Sequence, residues 1–388
     1  MKSLFVAALA IYSLSATAAE HVQIRRGVPN FVAKAEAAER PVHVAFLGGS
    51  ITQNTGGHIA MVPKWLKEMY PKTEFVYTRA GIGSTCSTSG AFRLQTDVMA
   101  NGPVDLLIVE FAVNDDQDAG HLLPQARRGL EGIVRHFQKV NPTGDIISVH
   151  FVNPGMVEKF QKAEVPISVQ AHESVDVHYN LASVNVGSAL AEKITAGEVT
   201  WKEDYGGTHP NKVGYQFASD LITGVIAASP KAVAISEWEI ASPLDPLNYG
   251  KGRFVDPQDA SWLGGWKFGP VGKEILPLGA IRNEYKKFHV LRAENPGDTL
   301  YLSFSGNALG AFVLAGPDAG AIEVSIDDGD WKTVETFHKH SRGLNYPRSV
   351  MLGEELADGY HQAAIRVSDK KNADSKGHAV NILMFEAN

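Results

Sequence analysis

Three polar residues stand where an apolar run or a glycine turn ends, and together they have the chemistry for acyl transfer. Ser50 follows Val44-Ala45-Phe46-Leu47-Gly48-Gly49, which reads as a parallel strand stopping at a turn tight enough to use glycine. Asn114 closes a second apolar run, Leu106-Leu107-Ile108-Val109-Glu110-Phe111-Ala112-Val113, and is followed by Asp115. His209 lies in the turn Gly206-Gly207-Thr208-His209-Pro210-Asn211, ahead of a helical pattern from Val213 to Ala228. A hydroxyl, an amide and an imidazole supply a nucleophile, an oxyanion donor and a proton shuttle. Ser50 alone would equally suit a helix N-cap. The shared placement of Ser50 and Asn114 favours chemistry, because open α/β sheets bind ligands outside the carboxyl ends of their strands.

The elements that must position these residues alternate. Helical patterns at 63–70, 122–140, 171–179, 186–196 and 213–228 interleave with apolar strands near 44–48, 74–77, 106–111, 146–152 and 181–184. That order predicts a parallel sheet between helices, joined by right-handed crossovers. Residues 153–169 read as a loop with a short helix, whose Met156 and Phe160 suit packing better than a substrate pocket. Past Ser229 the texture changes. Residues 243–256 are rich in turn formers, and short alternating strands such as Thr299-Leu300-Tyr301-Leu302-Ser303-Phe304 follow, separated by Asp-Gly turns. This predicts a β-sandwich of about 130 residues.

Four short blocks, in order, resemble the SGNH (GDSL-like) hydrolases. Gly48-Gly49-Ser50-Ile51-Thr52 matches the nucleophile block, Arg79-Ala80-Gly81-Ile82-Gly83-Ser84-Thr85 the glycine-rich block, Ala112-Val113-Asn114-Asp115 the Gly-x-Asn-Asp block, and Gly206-Gly207-Thr208-His209-Pro210 the Asp-x-x-His-Pro block. The resemblance spans about residues 42–228. It implies a flavodoxin-like three-layer α/β/α fold, with Ser50 as nucleophile and His209 as base. The oxyanion would be held by the N–H of Ser50, the N–H of Gly83 or Ser84, and the Asn114 side chain. Two departures stand out. Ala112 replaces a glycine, small for small, and Gly206 stands where the triad aspartate belongs. Asp204 is the candidate substitute, with Glu203 or a backbone carbonyl as alternatives. The β-rich half resembles, more loosely, the accessory domains attached to some exported carbohydrate esterases.

Composition narrows the partners. The 36 basic against 43 acidic residues give a net charge of -7 with no basic run, which argues against nucleic acid or an anionic membrane surface. Lys2, the apolar stretch Leu4 to Leu14 and the small residues 15–19 read as a signal peptide over 1–19, cleaved after Ala18 or Ala19. The expected organisation is then a catalytic domain over 20–235 and a β-sandwich over 236–388, in a periplasmic or secreted protein without a membrane span.

No metal or cofactor is expected. The 14 histidines include no His-x-x-x-His pair with an adjacent glutamate, and Cys86 is the single cysteine. Cys86 reads as a small buried residue. Asp327, Asp328 and Asp330 fit a hairpin turn better than a calcium loop. His338-Lys339-His340 reads as a surface feature or a substrate contact, and Trp262, Trp266 and Trp331 as core more than glycan platforms. Arg93, Glu110 and Asp115 are the charges expected to border the site, or else to form a structural network.

The reading is an exported serine esterase taking O-acyl groups, acetyl above all, from an oligo- or polysaccharide. Its rivals are sulfate-ester chemistry on glycans, lipase or thioesterase activity, and a non-catalytic glycan-binding protein on an esterase scaffold.

Overall fold

The computed structural model describes residues 21–388, so the expected signal peptide lies outside the described residues. Six strands build the first sheet: β1 (Val22–Gln23), β2 (Val42–Gly48), β3 (Phe75–Gly81), β4 (Leu106–Glu110), β5 (Asp145–Val149) and β6 (Ala182–Val184). Their order is β1-β6-β5-β4-β2-β3. All neighbours are parallel except β1, which runs antiparallel to β6. Strands β2, β4 and β5 are buried along their whole length, as their nearly unbroken apolar runs require of a sheet covered on both faces.

Alternate residues of β2 show the three layers. Val42, Val44 and Phe46 face one core, packed on α1 (Pro29–Ala37), α3 (His58–Met69), α8 (Val186–Thr195) and α9 (Lys212–Ala228). Ala45 and Leu47 face the other, packed on α4 (Ser87–Asp97), α5 (Leu123–Val140) and α7 (Ile167–His178). Shorter helices are α2 (Ser50–Gln53) and α6 (Pro154–Gln161), and a single helical turn spans Ala112–Asn114. From β2 the chain moves outward to β3, then returns past β2 to β4, so the order reverses between β2 and β4. Ligands of such sheets bind at that reversal. Ser50 and Asn114 follow these two strands.

Some elements differ from the sequence expectation. Strand β3 continues to Gly81, past the expected end near Tyr77, because it stays in register with β2 as far as Gly48↔Gly81. Helix α3 begins at His58, not Pro63, since the buried stripe Ile59, Val62 and Leu66 outweighs the proline inside it. Met156 is fully buried and Phe160 packs on the same core, in line with a packing role.

The rest of the chain forms two antiparallel sheets. Their strands are β7 (Arg253–Val255), β8 (Ser261–Leu263), β9 (Lys267–Pro270), β10 (His289–Ala293), β11 (Thr299–Gly306), β12 (Leu309–Ala315), β13 (Ala321–Ile326), β14 (Lys332–Glu335), β15 (Tyr346–Gly353), β16 (Gly359–Val367) and β17 (Val380–Ala387). One sheet has the order β15-β12-β17-β10-β9 with β7 paired to β17, and the other the order β14-β13-β16-β11-β8. Leu300, Leu302 and Phe304 of β11 face Val313 and Ile382 across a shared core, which makes a β-sandwich. Trp266 is buried in that core and Trp262 packs against it, whereas Trp331 is exposed beneath the Arg366 guanidinium. No helix among the described residues is long and apolar enough to cross a membrane.

Candidate active site

Ser50 is the first residue of α2, directly after β2 and Gly49. The N–H groups of a first helical turn have no intrahelical acceptor, so the Ser50 N–H is free to point at a ligand. A Cβ on Gly49 would overlap the Asn114 side-chain carbonyl, so glycine is what lets Asn114 approach the nucleophile turn. The Ser50 Oγ lies 2.8 Å from His209 Nε2. Ser50 is partly exposed and His209 exposed, so the pair opens to solvent.

Asn114 is buried, and its Nδ2 donates to Asp118 Oδ2 at 2.7 Å. A primary amide has two N–H donors, so Asp118 fixes the group while leaving one donor available. The structure also separates the two candidate backbone donors. Gly83 N–H donates to the Gln53 side-chain carbonyl at 3.1 Å. Ser84 N–H has no acceptor among the described residues, and Ser84 holds a left-handed φ of 71°.

Neither proposed carboxylate joins His209. Asp204 Oδ2 accepts hydrogen bonds from the Thr200 N–H at 2.7 Å and from Thr200 Oγ1 at 2.8 Å, and Glu203 Oε2 also accepts from Thr200 Oγ1, at 3.0 Å. The reading of Asp204 as triad member is therefore corrected: it closes the turn Trp201–Tyr205 back on Thr200. The position three residues before His209 is closed to an aspartate on local grounds. Gly206 has φ 100°, and a Cβ there would collide with the Asn211 backbone. Ser50 and His209 thus form a dyad, with no carboxylate on the ring among the described residues.

Arg93, Glu110 and Asp115 lie beneath the site, all buried. Glu110 Oε1 accepts from Gly49 N–H at 2.9 Å, Thr52 N–H at 3.2 Å and Thr52 Oγ1 at 2.6 Å, so it shapes the nucleophile turn from behind. Burial raises its pKa to about 7, against the lowering effect of those hydrogen bonds. Arg93 donates to the carbonyls of Ala80 at 2.8 Å and Gly48 at 2.9 Å, tying the ends of β3 and β2 together. Asp115 accepts from Ser87 N–H at 2.8 Å and meets His172 Nε2 at 2.8 Å. Burial opposes its charge, but His121 and His172 hold the carboxyl well below the usual range.

Cys86 is buried and unpaired, as expected. It shares a compact group with Asp115 and His121 that primary structure does not announce, since the imidazole comes from 35 residues downstream. Lys339 donates to the Gln117 carbonyl at 3.1 Å, so the His338-Lys339-His340 run touches the helical turn after Asn114. Gln53, Asp118 and Arg282 were not anticipated. Only Asp118 carried a local signal, lying four residues from Asn114 in helical chain, where side chains meet.

Residues 46–217 match the GDSL-like Lipase/Acylhydrolase family. The whole chain resembles a crystal structure of a two-domain esterase (CEX) active on acetylated mannans, co-crystallized with mannopentaose. The TM-score is 0.75 at 22% identity, covering 95% of this chain and 97% of that one. A second crystal structure of a two-domain esterase (CEX) active on acetylated mannans gives a TM-score of 0.73 at 22% identity, covering 94% and 98%. At that identity the likeness speaks to the fold, including the β-rich half. No curated protein sequence matches the chain. The family match runs from Phe46 in β2 to Phe217 in α9 and so contains Ser50, Asn114 and His209: over these residues the chain is similar to the GDSL-like lipase/acylhydrolase family, and the match supports an SGNH-type ester hydrolase in the α/β unit.

Proposed function

We propose that this protein is an exported serine esterase that removes O-acetyl groups from an oligo- or polysaccharide. The observation that carries the chemistry is the 2.8 Å contact between Ser50 Oγ and His209 Nε2 beside the Asn114 amide. Ser50 gives its proton to His209 and attacks the ester carbonyl. The developing oxyanion is met by the N–H groups of Ser50 and Ser84 and by the free N–H of Asn114. His209 returns the proton to the departing sugar hydroxyl. Water, deprotonated by the same imidazole, then cleaves the acyl-enzyme, releasing acetate and restoring Ser50.

A glycan substrate is supported by three features. The dyad is open enough for a polymer, the chain lacks any basic tract for a polyanion, and its likeness to an esterase active on acetylated mannans extends over both halves. Export is supported by the residues read as a signal peptide over 1–19. Protein recovered from the periplasm or medium is expected to begin at Ala19 or Glu20 by N-terminal sequencing.

The decisive test incubates residues 20–388 and its Ser50→Ala variant with acetylated mannan, acetylated xylan, a sulfated glycan and a short nitrophenyl ester. Acetate released from a glycan by the wild type alone supports the proposal. Sulfate release keeps the site but changes the ester. Turnover of the nitrophenyl ester without glycan deacetylation points to lipase or thioesterase chemistry, and glycan binding without any release points to recognition.

A further inference from the structure

The Ser84 N–H belongs to a half-buried loop between β3 and α4, and its direction depends on a single peptide plane. The ends of this loop are fixed locally: Ile82 N–H donates to Gly48 O at 3.0 Å, and Thr85 Oγ1 donates to Ile82 O at 2.8 Å. The Gly83–Ser84 peptide between them has little local support. It joins a glycine to a serine in the left-handed region, a conformation that non-glycine residues hold only when their surroundings impose it. A cavity of about 540 Å³ opens beside the residues that lead into the loop, lined by Ala80, Gly81, Ile82, Tyr285, Phe288 and Phe312.

Arg282, from the β-rich half, supplies the missing support. Its Nη1 donates to Gly83 O at 2.7 Å and its Nη2 to Ser84 Oγ at 3.0 Å. Gly83 C=O and Ser84 N–H sit on opposite sides of one planar peptide unit. Holding the carbonyl therefore aims the N–H the other way, and holding the hydroxyl keeps Ser84 at positive φ. A guanidinium presents two donors in a fixed fork, which a lysine does not. Arg282 is itself well seated: Ala280 N–H bonds Gly343 O at 2.8 Å, and Tyr285, three residues on, is buried. The same segment steadies Gln53, whose Nε2 donates to Glu284 Oε1 at 3.1 Å while its carbonyl accepts from Gly83 N–H.

We propose that Arg282 is a positioning residue that the β-rich half lends to the active site, holding the Gly83–Ser84 peptide so that the Ser84 N–H faces the oxyanion. This rests on the reading of Ser84 as an oxyanion donor. Without the fork the peptide flips in a fraction of molecules, and turnover falls while ground-state binding is spared.

The test is a mutant cycle in the full chain, read on a short acetyl ester. Arg282→Met is expected to lower kcat by about 10- to 100-fold, less than or equal to the loss of a whole oxyanion donor, with KM within about 2-fold. Arg282→Lys should fall between Met and wild type. Glycine adopts positive φ without strain, so in a Ser84→Gly background the Arg282→Met loss should shrink to about 3-fold or less. A general role in docking the two halves would instead lower the melting temperature and give the same kcat loss in both backgrounds, which would overturn the proposal. So would kcat within 2-fold of wild type in Arg282→Met. Ser50→Ala and Asn114→Ala separate the two readings: if both also leave turnover intact, it is the esterase reading of the site that fails.

Discussion

At the scale of single residues, the site uses each donor for one purpose. Asn114 spends one N–H on Asp118, which leaves the other for the proposed oxyanion. Asn114→Ala should therefore lower kcat on an acetyl ester by about 100-fold or more with little change in KM. Asp118→Ala, which frees the amide to rotate without removing it, should cost about 10-fold. Equal losses would mean that Asp118 does more than orient Asn114. Asp204 makes the opposite case. Its carboxylate is occupied by Thr200, so Asp204→Asn is expected to keep kcat on an acetyl ester within about 3-fold of wild type. A loss beyond 100-fold, the mark of a triad carboxylate, would show that the loop turns toward the imidazole during catalysis. Ser50, Asn114 and His209 were legible because each ends an element whose apolar run or glycine turn is plain in the sequence. Asp204 was misplaced because proximity along a chain carries no direction. The turn Trp201–Tyr205 and the positive φ of Gly206 send its carboxylate back to Thr200.

At the scale of elements, the end of β4 governs the turn after β2. Glu110 binds three donors of the Gly49–Thr52 turn through Oε1, while Oε2 is buried without a partner among the described residues. Burial raises this carboxyl from 4.5 to about 7. A carboxyl raised on folding is bound to a proton more often in the native than in the unfolded chain across that window. Its contribution is therefore most favourable below about pH 4.5, declines as pH rises through the window, and is flat above about pH 7. Glu110→Gln keeps the Oε1 acceptor and does not titrate. The melting temperature of the variant minus that of the wild type should thus increase between about pH 4.5 and 7 and then level off. A difference independent of pH would mean that Glu110 does not change protonation on folding. The alternation of strands and helices could be read from sequence, yet two features of this sheet could not. Strand β1 is a two-residue edge that exists only through pairing with β6, and β3 extends through Thr78 and Arg79 because its partner β2 carries it. Both are properties of a neighbour and not of the segment itself.

At the scale of the whole molecule, the two halves share a core. Phe254, Ala308 and Met351 of the β-rich half pack in the same apolar cluster as Phe92, Leu130 and Phe137. The sandwich was legible where strands alternate, as in β11, whose Leu300, Leu302 and Phe304 point inward between exposed Tyr301 and Ser303. It was obscured in β12, which is buried along its length because its second face is covered by Val271, Leu276 and Tyr285. The polar part of the junction is just as continuous. Ser89 Oγ lies 2.8 Å from Ser349 Oγ, which donates to the buried Glu386 at 2.5 Å, and Arg128 Nη2 donates to Glu355 Oε1 at 2.8 Å. Within the β-rich half Asn388 holds the segment that reaches the α/β unit through Tyr249 N–H and Arg128 O at 3.2 Å: its Nδ2 donates to Asn248 O at 2.9 Å and Asn307 Oδ1 at 2.6 Å, and its Oδ1 accepts from Lys251 N–H at 2.9 Å. Such an interface should make residues 20–388 melt as one unit, giving a single calorimetric transition with equal calorimetric and van't Hoff enthalpies. Asn388→Ala leaves buried backbone groups without partners, at about 1 to 3 kcal/mol each, and should move that whole transition down. Two transitions, with only one displaced by the substitution, would mean that the halves fold separately. Arg282 would then steady the oxyanion loop only while the junction stayed docked, and turnover would fail before the α/β unit melted.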